Sequence, residues 1–254
     1  MSVSKSSCVV PPVFKLFQQL IAAESMRHGG ISSFPFASLN VGLNTADSPK
    51  NVEENRRRFF AGLGVNDSQV ASSLQVHGDR ILTVTEPGRF EGYDALITNL
   101  PNLFLTVTVA DCTPILIYDA GQRAVAAIHA GWRGTTARIV EKTVEAMQLQ
   151  FKTRSADCFA YVGTCIDQCS FEVGNDVADQ FDEAYKQFDA ERQKFLIDLK
   201  AANVAQLVKT GVPFSQIGVS PYSTVLNNTD FFSYRSENGN TGRMLAIIGF
   251  HPAD

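Results

Sequence analysis

The sequence predicts an α/β protein, a single-domain sandwich of mixed β-sheets with covering helices, over residues 1–254. Its middle third carries short apolar runs, rich in β-branched residues, that turn residues separate, and this pattern is typical of strands. Segments with helical periodicity precede and follow these runs. No linker, low-complexity tract or convincing repeat divides the 254 residues, and this length is ample for one hydrophobic core.

The first third is expected to hold few strands. Ser48-Pro49 indicates a helix start, because the first turn of a helix tolerates proline's missing N–H. The expected elements are, in order, a loosely ordered start over 1–13, a helix over 14–24, irregular loops rich in Gly, Ser and Asn through residue 44, and a helix over 50–63.

The middle third is expected to be mostly strands. Asp119-Ala120-Gly121 indicates a hairpin between the last two of them. Apolar residues on a helical period then predict a helix over 135–150, which Thr135-Thr136 can cap. The expected strands are 74–77, 81–85, 94–98, 103–109, 115–118 and 124–128.

The last third again combines strand-like and helical segments. Acidic residues at the start of segment 175–188 favour a helix there, because they complement the helix dipole. The other expected elements are a strand over 159–162, a short apolar segment over 196–199, a helix over 200–210 and closing strands over 217–219 and 243–250.

Composition and charge exclude several classes of protein. The net charge is -4, and the basic cluster Arg56-Arg57-Arg58 lies beside Glu53-Glu54 and is interpreted as a helix face of mixed charge, so no nucleic-acid surface is expected. No apolar run is long enough to span a membrane or to act as a signal peptide, which predicts a cytoplasmic protein. Five cysteines in a long chain make a disulfide framework improbable, and the Cys165–Cys169 pair lacks further metal ligands nearby.

Three residues that follow strand-like runs have side chains that bind metals. His77 lies at a strand–turn boundary, Cys112 follows the run 103–109, and His129 follows the run 124–128. Ends of strands at one edge of a sheet commonly form a site. Two imidazoles and one thiolate suit Zn²⁺ and leave the fourth position open. The alternative is that the histidines are polar turn residues and the cysteine is a small buried hydrophobe.

Other polar residues are candidates for substrate contact or catalysis. Gly131 and Gly134 flank Arg133 at a helix start, where backbone N–H groups and a guanidinium can hold phosphate or carboxylate. Asp111 is adjacent to Cys112 and could orient it or accept a proton. Arg27, Asn40 and Arg235 lie in loops and are further candidates for substrate binding.

Motifs along nearly the whole chain resemble one family. They are RHGGIS (27–32), SLNVGLN (38–44), ENRRR (54–58), LQVHGDRI (74–81), YDALIT (93–98), TVADCTPILIYD (108–119), AAIHAGWRGT (126–135), FEVG (171–174) and FFSYR with TGRM (231–244). Their order and spacing are similar to those of the YfiH-type laccase-domain family, whose members are described as polyphenol oxidases, multicopper oxidases and purine nucleoside phosphorylases.

The resemblance implies a mixed α/β sandwich and a zinc site that falls here on His77, Cys112 and His129. It implies phosphorolysis of adenosine, inosine and methylthioadenosine, with deamination of adenosine as a second activity. The chain departs from the family pattern at Gly163-Thr164, Ser223-Thr224 and Tyr234-Arg235-Ser236. These departures leave the implied ligands intact and put only substrate contacts in doubt.

Four hypotheses about function stay open at this point. The first is a zinc-dependent purine nucleoside enzyme that takes small nucleosides and phosphate, acting as a monomer or small homo-oligomer. The second is a copper-dependent polyphenol oxidase, although four histidines are too few for a multicopper set. The third is a cysteine hydrolase of a small amide or cell-wall precursor, with Cys112 as nucleophile, and the fourth is a non-enzymatic scaffold.

Overall fold

Two six-stranded sheets and one small sheet are seen in the computed structural model, which describes residues 7–252. The first sheet has, in spatial order, strands β1 (Cys8–Val9), β2 (Leu20–Ser25), β15 (Met244–Phe250), β7 (Phe104–Val109), β3 (Val70–Leu74) and β5 (Gly88–Glu91). The second has β14 (Ile217–Val219), β10 (Cys158–Val162), β8 (Thr113–Asp119), β9 (Ala124–Ala130), β6 (Ala95–Thr98) and β4 (Ile81–Thr83). The third has β11 (Glu172–Val173), β13 (Lys194–Ile197) and β12 (Lys186–Asp189).

The two large sheets pack face to face and mix parallel with antiparallel pairs. Their shared core takes Leu105 and Ile248 from the first sheet and Leu116 and Ala127 from the second. Strand residues at every second position reach this core because side chains alternate between the faces of a sheet. The predicted sandwich of mixed β-sheets is therefore confirmed.

Helices cover the outer faces of the sandwich. They are α1 (Pro49–Gly62), α2 (Trp132–Thr136), α3 (Ile139–Phe151), α4 (Asn175–Ala178) and α5 (Leu199–Lys209). Phe59 and Phe60 of α1 pack on the outer face of the first sheet beside Phe104, while Val144 of α3 and Leu207 of α5 belong to the core on the second. The helices predicted over 50–63 and 200–210 are thus confirmed within one residue at each end.

The β8–β9 hairpin sets the position of two candidate ligands. Its turn forms as predicted, since Asp119 accepts hydrogen bonds from the backbone N–H groups of Gly121 and Gln122. The antiparallel register pairs Pro114 with His129. Cys112, which immediately precedes β8, is therefore brought beside His129 at the open end of the hairpin.

Two predicted helices are wrong. Segment 14–24 forms a 3₁₀ turn followed by β2, which is paired on both sides in the first sheet. Segment 175–188 is α-helical only over Asn175–Ala178 and has a 3₁₀ turn over Glu183–Tyr185 before it continues into β12. In both places strand pairing supplies the backbone hydrogen bonds, and in β2 burial between two neighbouring strands also overrides the local helical period.

The predicted helix over 135–150 is two helices. Helix α2 begins at Trp132 with Gly131 as its N-cap, and α3 begins after Arg138, whose φ of 64° is left-handed. A residue in that conformation ends one helix and lets the next start in a new direction. Thr135 and Thr136 lie inside α2 and cap neither helix.

Two predictions are partly wrong: the loosely ordered start over 1–13 and the solvated, mixed-charge helix face at Arg56-Arg57-Arg58. Residues 1–6 of the predicted loose start lie outside the described residues, but Cys8–Val9 pairs with β2. Arg57 and Arg58 are exposed and bind Glu54, as a solvated helix face would. Arg56 instead is buried, at 8% exposure, and its guanidinium lies over the Phe60 ring.

Glu24 is a buried carboxyl group on β2. It accepts hydrogen bonds from the Thr164 backbone N–H and hydroxyl and from the Tyr161 hydroxyl. Burial raises its pKa from 4.5 to about 7 in spite of these donors and of the nearby Lys200. The native state therefore holds this proton more tightly than the unfolded chain, and stability falls as pH rises between those two values.

We expect Glu24→Gln to remove this pH dependence. The raised pKa corresponds to about 3 kcal/mol of stability that the native protein loses between pH 4.5 and 8. Relative to the parent protein, the glutamine variant should gain about that amount over the same range, as urea unfolding at a series of pH values will measure. A stability difference that stays constant with pH would contradict the expectation.

No helix among the described residues is long and apolar enough to cross a membrane.

Candidate metal centre and cavity

The structure brings together His77, Cys112 and His129. Their ligand atoms all lie within 4.8 Å of one another, and the two imidazole rings are 4.8 Å apart between centroids at 82° to each other. Zinc held by two nitrogens and one sulfur places its ligand atoms roughly 3.3–3.6 Å apart. Small side-chain rotations therefore suffice for one ion to bind all three, so this group can bind a metal.

Each ligand comes from a different part of the sandwich. His77 follows β3 of the first sheet and has a left-handed φ of 60°. Cys112 lies in the connection from β7 to β8, and so joins the two sheets. His129 lies within β9 of the second sheet and is 2% exposed. The centre is thus built where the two sheets meet at one end of the sandwich.

Asp94 positions both histidines, and the sequence reasoning missed it. Its carboxylate accepts the Nδ1–H of His129 at 2.8 Å and the backbone N–H of His77 at 2.9 Å. It also accepts the backbone N–H groups of Val76 and Gly78. The bond at Nδ1 leaves Nε2 of His129 for a metal, an arrangement common around metal-binding histidines. Its one sequence signal was an acidic residue at the start of an apolar strand, inside the YDALIT motif.

The electrostatics of the centre favour a bound cation. Burial raises the pKa of the Cys112 thiol, but the adjacent His129 and His77 outweigh burial and lower that pKa to about 6. Burial lowers the pKa of His129, while the Cys112 thiolate and Asp94 raise it more. Burial likewise raises the pKa of Asp94, and its bonds to His129 and the backbone lower it more. The buried Asp94 carboxylate and the half-buried Cys112 thiolate therefore face the imidazoles, and a metal ion would neutralise them.

The centre lies in a cavity of about 590 Å³ whose two ends differ in chemistry. Trp132, Ile166 and Phe171 line one end and belong to a single apolar cluster. Arg56 and Arg89 line the other, which continues into a second cavity of about 630 Å³. The three candidate metal ligands His77, Cys112 and His129 also line this cavity. A cavity of this size holds a small molecule the size of a nucleoside.

Asp111 ties together two loops of the cavity wall. One carboxylate oxygen accepts the Thr224 hydroxyl at 2.5 Å and the other accepts the Arg235 backbone N–H at 2.6 Å. Its backbone has a left-handed φ of 94°, which these two bonds help to hold. Both oxygens are thus engaged, and Asp111 fixes loop 224–235 beside Cys112.

The other candidates for substrate binding divide into two groups. Arg133 and Arg235 line the cavity, where the Arg133 guanidinium lies over the Trp132 ring at 4.5 Å and that of Arg235 donates to the Ser170 carbonyl. Arg27 and Asn40 do not line it in this structure.

Arg27 and Asn40 are held in hydrogen bonds within the protein. Arg27 binds Glu237 and two backbone carbonyls. Asn40 accepts the Arg243 backbone N–H and donates to Thr45 and Asp47. Both arrangements fix loops, and Asn40 thereby positions Arg243, a cavity residue that the sequence reasoning did not single out.

Gly131 leaves the space that two ligands occupy. A Cβ atom there would lie 3.1 Å from the Cys112 sulfur and 3.3 Å from Cδ2 of His77. Its φ of -72° and ψ of 174° are open to any residue. The requirement for glycine is thus contact with the ligands and not backbone freedom.

We expect Gly131→Ala to weaken metal binding by about tenfold while the fold stays intact, since disturbed ligand geometry costs affinity on this scale. Competition with a chromophoric chelator will measure the affinity. The matched control is Gly62→Ala in α1, where a Cβ meets nothing within 4 Å and helix propensity improves. Equal metal affinity in the two variants would contradict the expectation.

Known proteins match this chain over nearly its whole length. A family model described as multi-copper polyphenol oxidoreductase laccase matches residues 21–251. The chain belongs to the YfiH-type laccase-domain family. The family resemblance drawn from the motifs is thereby confirmed.

Relatives and solved structures agree with this membership. A purine nucleoside phosphorylase of Deinococcus radiodurans is 40% identical over 89% of this chain and 88% of its own. The purine nucleoside phosphorylase YfiH of Escherichia coli is 36% identical over 95% and 98%. The crystal structure of YlmD from Geobacillus stearothermophilus superposes with a TM-score of 0.91 and 32% identity, and covers 99% of this chain and 98% of that one.

The departures from the family pattern fall on none of the three candidate metal ligands, although Tyr234 and Arg235 line the cavity. Thr164 binds Glu24 through its backbone N–H and its hydroxyl. Ser223 donates its hydroxyl to Asp167, and Thr224 donates to Asp111. These residues support the loops behind the laccase-domain site and supply none of its three metal-binding groups.

Proposed function

We propose that the protein is a zinc-dependent purine nucleoside phosphorylase. The observation that carries the proposal is the His77–Cys112–His129 group at the centre of a cavity of nucleoside size. Relatives that match almost the full chain are named purine nucleoside phosphorylases. The proposed substrates are adenosine, inosine and methylthioadenosine with inorganic phosphate, and the proposed compartment is the cytoplasm.

The donor set supports zinc as the metal. One thiolate and two imidazoles with an open fourth position match catalytic zinc sites. When bound, zinc supplies a Lewis acid at that open position. The group is the single candidate metal cluster among residues 7–252, whereas a multicopper oxidase needs several copper sites. Copper at this one site is the alternative for weak phenol oxidation.

The two ends of the cavity support a defined orientation of the nucleoside. Trp132 and Phe171 offer ring surface for a purine, which stacks on aromatic side chains. The ribose would then lie over the metal-binding residues, with its anomeric carbon open toward the arginine end. In phosphorolysis the bond between that carbon and the purine nitrogen breaks, an oxygen of hydrogen phosphate bonds to the carbon, and the purine leaves with the proton that hydrogen phosphate gives up.

Individual residues have distinct proposed roles in this orientation. His77 and Cys112 hold the reacting face of the nucleoside, and His129, fixed by Asp94, completes the group. Asp111 acts by positioning Arg235 and the adjacent loop, because each of its oxygens already accepts a hydrogen bond. Hydrolytic deamination of adenosine is proposed as a second, slower activity at the same centre.

Product analysis with defined metal content tests the proposal. Protein purified anaerobically should hold about one zinc per chain, measured by elemental mass spectrometry. With phosphate, adenosine should yield adenine and ribose 1-phosphate; without phosphate, slow formation of inosine should remain. The proposal fails if zinc-loaded protein converts no purine nucleoside while copper-loaded protein oxidises phenols efficiently.

The same preparation separates the cysteine-hydrolase alternative. Cys112 lies beside two histidines and its pKa is lowered, as in a thiol nucleophile. A thiolate that binds metal is a poor free nucleophile. Removal of zinc with a chelator should therefore abolish nucleoside turnover and expose Cys112 to iodoacetamide. Nucleoside turnover that survives complete metal removal would support Cys112 as a metal-independent nucleophile, as in the hydrolase hypothesis.

A further inference from the structure

The main cavity carries an excess of positive charge. Five arginines line the main cavity, and Asp111 is the one carboxylate among its described lining residues. The single negative charge of Asp111, which accepts hydrogen bonds from the Thr224 hydroxyl and the Arg235 backbone N–H, cannot offset five guanidinium charges. Charge that the protein itself leaves uncompensated in a concave site attracts an anion. The five arginines are Arg56, Arg89, Arg133, Arg235 and Arg243.

Arg56 shows that the arginine end of this cavity is built for an anion. Its side chain is 10% exposed, yet its guanidinium lies 3.8 Å from the nearest oxygen of Asp67, whose own side chain is 68% exposed. It also donates to the Val41 carbonyl at 3.3 Å. These long contacts engage few of the five guanidinium donors. A buried cation held so weakly is costly unless a ligand completes its hydrogen bonds.

Arg89 brings a second cation to the same place. Ser72 on β3 pairs with Arg89 on β5, and both residues, with Arg56, line the junction of the two cavities. Burial lowers the pKa of Arg56, and the neighbouring charge of Arg89 lowers it further. The two guanidinium groups therefore repel each other, and a bound anion would relieve this repulsion.

Arg243 is a third arginine of the main cavity, and its guanidinium lies over the Tyr234 ring at 5.4 Å. Its backbone N–H is held by Asn40, and its guanidinium donates to the carbonyls of Thr241 and Gly242. A Cβ on Gly42 would lie 2.6 Å from Cγ of Arg243, so the loop leaves room for this side chain. Asn40 thus fixes the backbone of Arg243, Gly42 leaves space for its side chain, and that side chain lines the main cavity.

We propose that Arg56, Arg89 and Arg243 form a subsite that binds a phosphoryl group. Three guanidinium groups that line one cavity match the several oxygens of a phosphoryl group. The assignment deepens the proposed function and rests on it for the reaction that the bound group would enter. Two sources share this chemistry: inorganic phosphate as the second substrate, and the 5′-phosphate of a nucleotide.

The assignment differs from the sequence-based expectation that Arg133 holds phosphate. Arg133 lies over Trp132, and Arg235 lies over Phe171 while it donates to Ser170 and Glu172. These two arginines are therefore at the aromatic end, where the purine is proposed to bind. They extend the stacking surface there, whereas Arg56 and Arg243 lie over Phe60 and Tyr234, two rings outside this apolar cluster.

Direct binding of inorganic phosphate to the full-length zinc protein tests the subsite. Isothermal titration in a low-chloride buffer gives the dissociation constant without turnover. Arg89→Gln is the main variant because Arg89 is exposed and its loss leaves the core intact. Arg243→Gln is the second, and circular dichroism will establish that both variants are folded. Arg58→Gln, an exposed arginine of α1 that binds Glu54, is the matched control.

We expect phosphate binding to weaken about tenfold or more in Arg89→Gln and in Arg243→Gln, the scale of a lost charge-assisted hydrogen bond. Arg58→Gln should bind as the parent does. Titration with adenosine 5′-monophosphate and with adenosine then identifies the source. Weakening of the nucleotide alone assigns the subsite to a 5′-phosphate, and weakening of inorganic phosphate assigns it to the second substrate.

The outcomes that overturn the subsite differ from those that overturn the proposed function. The subsite is wrong if folded Arg89→Gln and Arg243→Gln bind phosphate and nucleotide as the parent does, or if Arg133→Gln alone loses them. Arginine-dependent phosphate binding in a protein that splits no nucleoside would leave the subsite standing and reject the phosphorylase.

Discussion

Replacing Cys112 with alanine is expected to abolish metal binding and nucleoside turnover together. Cys112 supplies the one thiolate of the group, and its sulfur lies within 4.8 Å of one ring nitrogen of His77 and one of His129. Two imidazoles alone hold zinc far more weakly than three ligands do, and the lost thiolate also removes a charge that the ion neutralises. We expect metal content to fall below about 0.1 per chain and kcat/KM to fall by about 1,000-fold or more.

Elemental analysis and steady-state kinetics on the same preparation will check this result. The matched control is Cys169→Ser, because Cys169 is exposed and lies outside the cavity lining. This control should keep its metal and its activity. Full turnover by a metal-free Cys112→Ala protein would show that neither the thiolate nor the metal takes part in the reaction.

Replacing Asp94 with alanine is expected to have the next largest effect. The change removes the acceptor of four hydrogen bonds, three from the backbone around His77 and one from Nδ1 of His129. His129 then loses its fixed orientation, and the loop that carries His77 loses its anchor. Metal affinity should fall by about 10- to 100-fold, as it does when groups that orient metal ligands are removed.

The loss of Asp94 should also destabilise the metal-free protein. Its side chain is fully buried, so unpaired N–H groups remain behind, at a cost of about 3 kcal/mol. Urea unfolding after metal removal measures this cost, and a chelator competition assay measures metal affinity. Asp79→Ala on the same loop is the matched control, because Asp79 makes an exposed ion pair with Lys142 and such pairs contribute at most about 1 kcal/mol. Equal effects of the two changes would show that Asp94 does not position the centre.

The hydrogen-bond pattern around Asp94 connects the fold to the site. One buried carboxylate on the second sheet holds the turn that follows β3 of the first sheet. Packing of the two sheets therefore sets the distance between His77 and His129. This dependence predicts that the centre is as stable as the sandwich itself and does not form before the sheets dock.

Local sequence patterns missed β5 and placed β3 at 74–77, four residues too late, but they predicted strands β4, β6 to β10, β14 and β15 and the helices α1 and α5. In those segments the apolar period, the turn residues and the helix start signals agree with the tertiary environment. Segment 14–24 failed because residues such as Ala22 and Ala23 satisfy a helical period as well as a strand period. Its partners β1 and β15 lie at the two ends of the chain, and no local signal reveals that pairing.

The sequence predicted the candidate ligands of the site but not the residues that surround them in the cavity. His77, Cys112 and His129 are chemically distinctive and follow strand-like runs, and family motifs support them. Arg56 looked like part of a solvated charged face, because its neighbours Arg57 and Arg58 are. Only packing shows that its side chain points inward over Phe60 and lines both cavities.

The sequence by itself predicted the class of fold and the candidate ligands His77, Cys112 and His129, because apolar periodicity, turn chemistry and side-chain type are local properties, and its motifs identified the family. Tertiary structure decided the rest. It placed Asp94 between two histidines, engaged both oxygens of Asp111, withdrew Arg27 and Asn40 from the cavity and gathered arginines from separate elements at one end. Each of these outcomes depends on distances between residues far apart in the chain, and only the docking of the two sheets defines such distances.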